Sequence, residues 1–329
     1  MADGKLPVVL LMGPTGAGKT QLSFELAREI PLEIVSVDSA MVYRGMDVGT
    51  AKPTPAERAL VPHHLVDIRD PAQTYSVGRF VRDARAAIDA IHAVGHVPFL
   101  VGGTMLYFNS LLRGLAELPE GDAAVRAQID ALAASEGWPA LHAELARVDP
   151  AAAARIHPND PQRIQRALEV YRVTGVAISA LQAARRSQLD GFRTLSLIVD
   201  VPERSGLHDR IERRLAAMMS AGFLTEVARL RARADLHEEL PALRAVGYRQ
   251  LWGHLDGRYG LEEGIARAAA ATRQLAKRQL TWLRALTSTT LSRSSGRARD
   301  EMHWIDAGTS DAVRNATALV RTLGGPIIS

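Results

Sequence analysis

The stretch Gly13-Pro14-Thr15-Gly16-Ala17-Gly18-Lys19-Thr20 constrains the fold more than any other part of this chain. It fits G-x-x-x-x-G-K-[ST], the pattern of a loop that wraps a phosphate, and the pattern carries weight only between a strand and a helix. Both flanks comply. Pro7-Val8-Val9-Leu10-Leu11-Met12 is an apolar run suited to a buried strand, and Gln21-Leu22-Ser23-Phe24-Glu25-Leu26-Ala27-Arg28 has its apolar side chains at helical spacing. The glycines let consecutive N–H groups turn inward around an anion, and the helix N-terminus adds partial positive charge. Lys19 is expected to reach the terminal phosphate, and the Thr20 hydroxyl to ligate Mg²⁺. A glycine-rich turn that binds nothing is the plain alternative, and the agreement of motif and flanks weighs against it. The motif leaves open which phosphate compound is held.

Further along, Ile34-Val35-Ser36-Val37 reads as a second buried strand ending at Asp38-Ser39. Val97-Pro98-Phe99-Leu100-Val101 reads as a third, ending at Gly102-Gly103-Thr104. Strand C-termini border the ligand crevice of an open parallel sheet, so Asp38 and Thr104 should face the phosphate loop. Many P-loop hydrolases place a metal-binding Asp at such a strand end. The two glycines found here instead would let a substrate come close. Residues 41–52 read as a loop over the crevice, and 53–60 as a short helix. His63 and His64 lack metal-ligand spacing and are read as structural. Ser76 caps an amphipathic helix with Phe80, Val81, Ala84, Ile88 and Ile91 on one face, ended by Gly95.

Residues 116–188 are alanine-rich and read as helices with no strand, whereas Leu195-Ser196-Leu197-Ile198-Val199-Asp200-Val201 is a strand again. The fold class is therefore α/β: a P-loop NTPase-like, nucleotide-kinase-like parallel sheet flanked by helices, built from residues 1–115 and 191–329. An all-helical insertion at 116–190 is placed to act as a lid or grip. In it, Gln162, Arg163, Ile164, Gln165 and Arg166 open a helix, with the arginines outward if Ile164, Leu168 and Tyr171 pack inward. Residues 207–230 read as one helix bearing Arg210, Arg213 and Arg214, residues 261–286 as a long helix, 303–305 as a last strand and 310–323 as a last helix.

The chain has 329 residues, no cysteine and a net charge of +4, so disulfide and thiolate chemistry are excluded and an anionic partner is permitted. No stretch approaches a membrane span, and the start is unlike a signal peptide, which points to the cytoplasm. Between Glu263 and Asp300 there is no acidic residue, yet Arg267, Arg273, Lys277, Arg278, Arg284, Arg293, Arg297 and Arg299 lie there. A solvated helix face usually mixes signs, so this run favours contact with a polyanion. No Asn-Lys pair exists to start a guanine-reading N-K-x-D loop. A small-molecule kinase and a phosphate-dependent enzyme acting on nucleic acid both fit, and the second also accounts for the arginines. A motor-like or structural ATP-binding module has no repeat or heptad to support it.

The residues from Asp38 to Lys52, Asp38-Ser39-Ala40-Met41-Val42-Tyr43-Arg44-Gly45-Met46-Asp47-Val48-Gly49-Thr50-Ala51-Lys52, resemble the D-S-x-Q-[VI]-Y-[RK]-x-[ML]-D-I-G-T-A-K-P signature of the tRNA dimethylallyltransferases. Pro62-His63-His64-Leu65-Val66-Asp67, Gly102-Gly103-Thr104-Met105-Leu106-Tyr107, His157-Pro158-Asn159-Asp160-Pro161-Gln162-Arg163, Ala245-Val246-Gly247-Tyr248-Arg249-Gln250 and Lys277-Arg278-Gln279-Leu280-Thr281-Trp282-Leu283-Arg284 resemble further blocks of that family in the same order. Met41 stands where many members carry Gln, so a hydrogen bond to a base is exchanged for packing. The cysteine-dependent zinc finger of eukaryotic members is absent, as in the bacterial form.

The resemblance implies transfer of a dimethylallyl group from its diphosphate to N6 of adenosine 37 in tRNA. Gly13, Pro14, Thr15, Gly16, Ala17, Gly18, Lys19 and Thr20 would then hold the donor's diphosphate, with Mg²⁺ on Thr20 and help from Arg213. Asp38 would be the catalytic base, with Thr104 beside it. Asp38, Ser39, Ala40, Met41 and Thr104 would meet the target nucleotide. Arg126 and Gln162, Arg163, Ile164, Gln165 and Arg166 of the insertion would contact tRNA. So would Arg244, Ala245, Val246, Gly247, Tyr248 and Arg249, and Lys277, Arg278, Gln279, Leu280, Thr281, Trp282, Leu283 and Arg284. The expected partners are the tRNA anticodon stem-loop and dimethylallyl diphosphate, with no membrane and the enzyme a monomer. An adenylate isopentenyltransferase and a P-loop kinase are the competing readings.

Overall fold

The computed structural model describes residues 5–116, 118–183, 186–201, 203–292 and 301–324. Six parallel strands form one sheet: β1 (Pro7–Met12), β2 (Leu32–Val37), β3 (His63–His64), β4 (Val97–Gly102), β5 (Arg193–Asp200) and β6 (Glu301–Asp306), in the order β3-β2-β4-β1-β5-β6. Every residue of β1 and β2 is buried, which is why β1 reads as a continuous apolar run and β2 as a mostly apolar one, with Glu33 and Ser36 buried among its apolar residues. On one face Val9, Leu11, Ile34, Phe99 and Val199 share a core with Leu22 and Leu26 of the helix Lys19–Leu26 and with Ala316 and Val320 of the helix Ala312–Thr322. The helix Val77–Ala93 buries Phe80, Ala84, Ile88 and Ile91, and Ser76 caps it by accepting the Arg79 N–H. The short β3 owes its histidines to packing. His64 Nε2 and His96 Nδ1 meet the two carboxylate oxygens of Glu33 at 2.6 and 2.9 Å.

The chain divides into two compact units, one of residues 1–109 and 191–329, the other of residues 110–190. The second unit is helical, with no strand among its described residues, and its core is Ile129, Leu141, Leu145, Ile164 and Leu168. Asp122, Asp149 and Asp160 cap three of the helices there through side-chain oxygens.

Two helix expectations need correction. The helix expected over 207–230 is two helices, Arg204–Ser220 and Phe223–Arg231, because Gly222 takes φ 94° and turns the chain between them. The long helix runs Leu261–Ser292, past the expected end at Leu286. Arg293, Arg297 and Arg299 of the basic run lie outside the described residues.

The glycines at the end of β4 also read differently in the fold. A Cβ on Gly102 would lie 2.1 Å from the Val37 carbonyl oxygen, and one on Gly103 2.5 Å from Gln279 Nε2. Close approach is required there, but by β2 and by the long helix. Gly102→Ala is therefore expected to destabilise by about 1–3 kcal/mol as an overpacking change. Gly206→Ala, in a helix with open space, should stabilise by about 0.5–1 kcal/mol. Urea unfolding of the two variants checks the opposite signs.

Candidate functional site

Strand register builds the site. Met12 and Val37 both pair with Gly102, so the ends of β1, β2 and β4 lie at one level. The residues that follow them, Gly13, Asp38 and Gly103, emerge at one edge of the sheet. Asp38 and Gly103 border a crevice of about 890 Å³ lined by Thr15, Lys19, Thr20, Asp38 and Thr104 on its polar side, with Met41 among them. Leu215, Met218, Phe223, Leu275 and Trp282 form an apolar wall.

The phosphate loop has the geometry its motif requires, with Gly16 at φ 80° and Gly18 at φ 99°. Lys19 Nζ folds back onto the loop and donates to the carbonyls of Gly13 at 3.0 Å and Pro14 at 2.7 Å. Burial first, and the Arg214 guanidinium next, lower the Lys19 pKa to about 7 against the opposing pull of Asp38. Burial likewise lowers the pKa of Arg214, against the pull of Asp38. Thr20 is exposed at the start of the helix. Gln279 braces the loop from the long helix. Its Oε1 accepts the Thr15 N–H at 2.9 Å and its Nε2 donates to the Gly103 carbonyl at 2.8 Å.

Asp38 is half-buried, and its Oδ1 accepts the N–H groups of Ala40 at 2.8 Å and Met41 at 3.2 Å. This turn fixes the carboxylate and leaves Oδ2 without a hydrogen bond among the described residues. The Ser39 N–H donates to Thr104 Oγ1 at 3.1 Å, which ties the end of β2 to the residue after β4. Met41 lies in the crevice wall with Sδ 3.8 Å from the Ser36 hydroxyl.

A family model described as IPP transferase matches residues 41–286, most of the chain. The chain belongs to the IPP transferase family. A second model, described as isopentenyl transferase, matches residues 6–65. A protein of Methylococcus capsulatus called tRNA dimethylallyltransferase is 55% identical over 315 residues, covering 96% of this chain and 97% of its own. Among solved structures, the tRNA isopentenylpyrophosphate transferase of Bacillus halodurans aligns with a TM-score of 0.65 at 35% identity, covering 97% of this chain and 98% of its own. A eukaryotic dimethylallyltransferase, described as acting on tRNA, aligns with a TM-score of 0.78 at 28% identity, covering 95% of this chain and 78% of its own.

In this IPP transferase the expected site residues fall into distinct places. Of the arginines after β5, Arg214 rather than Arg213 lines the crevice, because Ile211 and Leu215 turn inward and carry Arg214 with them, while Arg213 is exposed. Tyr248 and Leu283 are fully buried and cannot contact RNA directly; Tyr248 donates its hydroxyl to Glu226. Gly247 is buried as well, and the stretch from Arg244 to Tyr248 as a whole borders the crevice. Arg244 and Arg249 are exposed, Arg244 paired with Glu239.

The long helix splits its block between opposite faces. Arg278, Gln279 and Trp282 face the crevice, while Lys277, Leu280, Thr281 and Arg284 line a separate groove with Arg204, His208 and Arg273. In the helical unit, Gln162 and Arg163 are exposed as expected, and Gln165 donates to Asp130. Ile164 is fully buried in that unit's core, so it supports its neighbours rather than touching RNA. Arg166 does not simply point outward. It and Arg126 both grip Glu169, a carboxylate with no exposed surface, at 2.6 and 2.8 Å.

Sequence reasoning missed Arg214, Glu226 and the bracing role of Gln279. The phase of Ile211 and Leu215 held the signal for Arg214; the other two act across more than 100 positions of chain and leave no local mark. Among the described residues no helix is long and apolar enough to cross a membrane, and no cluster of three or more His, Asp or Glu side chains is arranged to hold a metal alone.

The lowered pKa of Lys19 has a measurable sign. Above about pH 7 the free protein holds this amine neutral, and a bound polyphosphate restores its charge. Pyrophosphate binding at pH 8 is therefore expected to take up a proton at Lys19, and this group's contribution to affinity to fall as the pH rises above 7. Calorimetry in buffers of different ionisation enthalpy measures the uptake, which should be lost in Lys19→Met.

Proposed function

We propose that this chain transfers a dimethylallyl group from dimethylallyl diphosphate to N6 of the adenosine at position 37 of tRNA, releasing pyrophosphate, in the cytoplasm. One observation carries the reading: a single crevice joins a diphosphate-reading loop, a carboxylate with a free oxygen and an apolar wall. A phosphate loop reads diphosphate without reading a nucleobase, so its ligand here is the prenyl donor. The names of the relatives, which cover nearly the whole chain, support tRNA as acceptor.

The donor's diphosphate lies in the loop of residues 13–20, against those N–H groups that are not already paired, where Lys19 turns from the Gly13 and Pro14 carbonyls to the phosphate oxygens. Arg214 adds a second cation. Together they stabilise the charge that grows on the diphosphate as the C–O bond breaks. The Thr20 hydroxyl, exposed and without a hydrogen bond among the described residues, fits a Mg²⁺ ion that takes its other ligands from phosphate and water. Such an ion would further neutralise the leaving pyrophosphate. The apolar wall of Leu215, Met218 and Leu275 excludes water from the prenyl carbon.

The adenine must leave the anticodon-loop stack to enter the crevice. Its N6 lone pair is delocalised into the ring, so a base must take a proton as the new C–N bond forms. Asp38 Oδ2 is that base, and Thr104 hydroxyl orients the base or the donor. Met41 packs against the adenine, with Trp282 offering a ring for stacking nearby. Arg278 on the crevice side, Arg163 on the helical unit and the Arg126–Arg166 pair supply phosphate contacts.

Incubation with labelled dimethylallyl diphosphate and either tRNA or AMP decides the acceptor; label in AMP alone would make the chain an adenylate isopentenyltransferase. Asp38→Ala is expected to cut single-turnover transfer by about two to four orders of magnitude with tRNA affinity kept. A rate near wild type removes the base assignment. Arg278→Ala should lower the salt slope of tRNA binding by about one, which filter binding across salt concentrations measures.

A further inference from the structure

We propose that Glu226 is a positioning residue for the donor site: through the backbone of residues 47–50 it sets where Arg214 stands in the crevice. The proposal rests on the crevice being a diphosphate site.

Glu226 lies on the helix Phe223–Arg231 and is only 5% exposed. Its Oε2 accepts the N–H groups of Asp47 and Val48, both at 2.8 Å. Its Oε1 accepts the N–H of Gly49 at 3.1 Å and the hydroxyl of Tyr248 at 2.5 Å. Three consecutive backbone amides thus converge on one buried carboxylate, the arrangement a loop otherwise uses to hold an anion. No cation shares it among the described residues. Burial and the Glu226 charge both raise the Tyr248 pKa, so the phenol stays protonated and keeps donating. A carboxylate so placed costs much to move, because every shift strands a buried charge or a buried amide.

The peptide that follows carries the effect to the site. Thr50 is held by its own hydroxyl, which donates to the Met46 carbonyl at 2.7 Å. The Thr50 carbonyl accepts from Arg214 NH2 at 3.3 Å. That is the one hydrogen bond of Arg214 among the described residues, and it holds the guanidinium near Lys19, whose pKa the Arg214 charge lowers. At 3.3 Å the bond has little slack, and a shift of about 0.5 Å in the loop takes it beyond useful range. Lys52, 2% exposed and donating to the Tyr43 carbonyl, Asp47 and Asp67, pins the other end of the loop. The segment between the two anchors is therefore set from both sides, with Glu226 governing the side that reaches Arg214.

A double-mutant cycle on pyrophosphate affinity, read by calorimetry, tests this. Glu226→Gln keeps one acceptor oxygen but turns a carboxamide NH2 donor toward groups that are themselves donors. It is expected to weaken pyrophosphate binding about tenfold, and Arg214→Ala about 10- to 100-fold. In the Arg214→Ala background, Glu226→Gln should cost less than about twofold more, as expected for residues acting as one unit. Tyr248→Phe, a milder change that guards against misfolding, should weaken binding about threefold and lose that effect in the same background. A merely structural role would lower the melting temperature without coupling to Arg214. Additive effects in either cycle, or wild-type affinity in Glu226→Gln, overturn the proposal. Failure of the wild-type protein to bind pyrophosphate overturns the crevice assignment itself and the proposal with it.

Discussion

The alignment of three strand ends governs everything else in this protein. Because Met12 and Val37 pair with the same Gly102, the phosphate loop, Asp38 and Thr104 leave the sheet at one level. Parallel pairing makes this possible, since every strand then presents its C-terminal end to the same edge. A shift of one residue in the β2–β4 ladder would move Asp38 by about 3.3 Å and turn its side chain to the other face, and one in the β1–β4 ladder would do the same to the start of the phosphate loop. The glycine at the meeting point has no room for a methyl group, so the register and the residue enforce each other.

Around that edge the chain collects charge at some cost to itself. Lys19 and Arg214 share one crevice, and burial works against both cations before any ligand arrives. Asp38 and carbonyl oxygens offset only part of this: Gly13 and Pro14 for Lys19, Thr50 for Arg214. An anion that enters replaces weak dipolar partners with strong ones. Affinity is thereby stored as unmet electrostatic demand in a site whose parts already stand in place.

What was legible in the sequence follows from the range of the forces involved. The strands could be read because strands buried on both faces are mostly apolar runs, and the phosphate loop because its flanks are local. Asp38 could be placed because strand ends border ligands in this architecture. The choice between Arg213 and Arg214 could not be made without knowing which side of their helix is buried, a fact set by Ile211 and Leu215 against the rest of the fold. Tyr248 looked like a surface contact and is a core donor, because its partner Glu226 lies 22 residues away with nothing in the spacing to announce it. Gly102 and Gly103 were read through the ligand, whereas their neighbours are Val37 and Gln279.

Gln279 accepts from one backbone group and donates to another, across the gap between the phosphate loop and the end of β4. The two backbone groups have opposite polarity, and an amide is the side-chain group of this length that answers both at once. A carboxylate would turn an oxygen against the Gly103 carbonyl and set a negative charge beside the Thr15 amide, at the edge of the proposed diphosphate site. A shorter amide would not span the gap. The position is thus fixed in chemistry as well as in size, and the bond's direction is written into the main chain on either side. A neutral side chain from a basic helix thus ties the loop to the end of β4 without setting a negative charge beside Lys19.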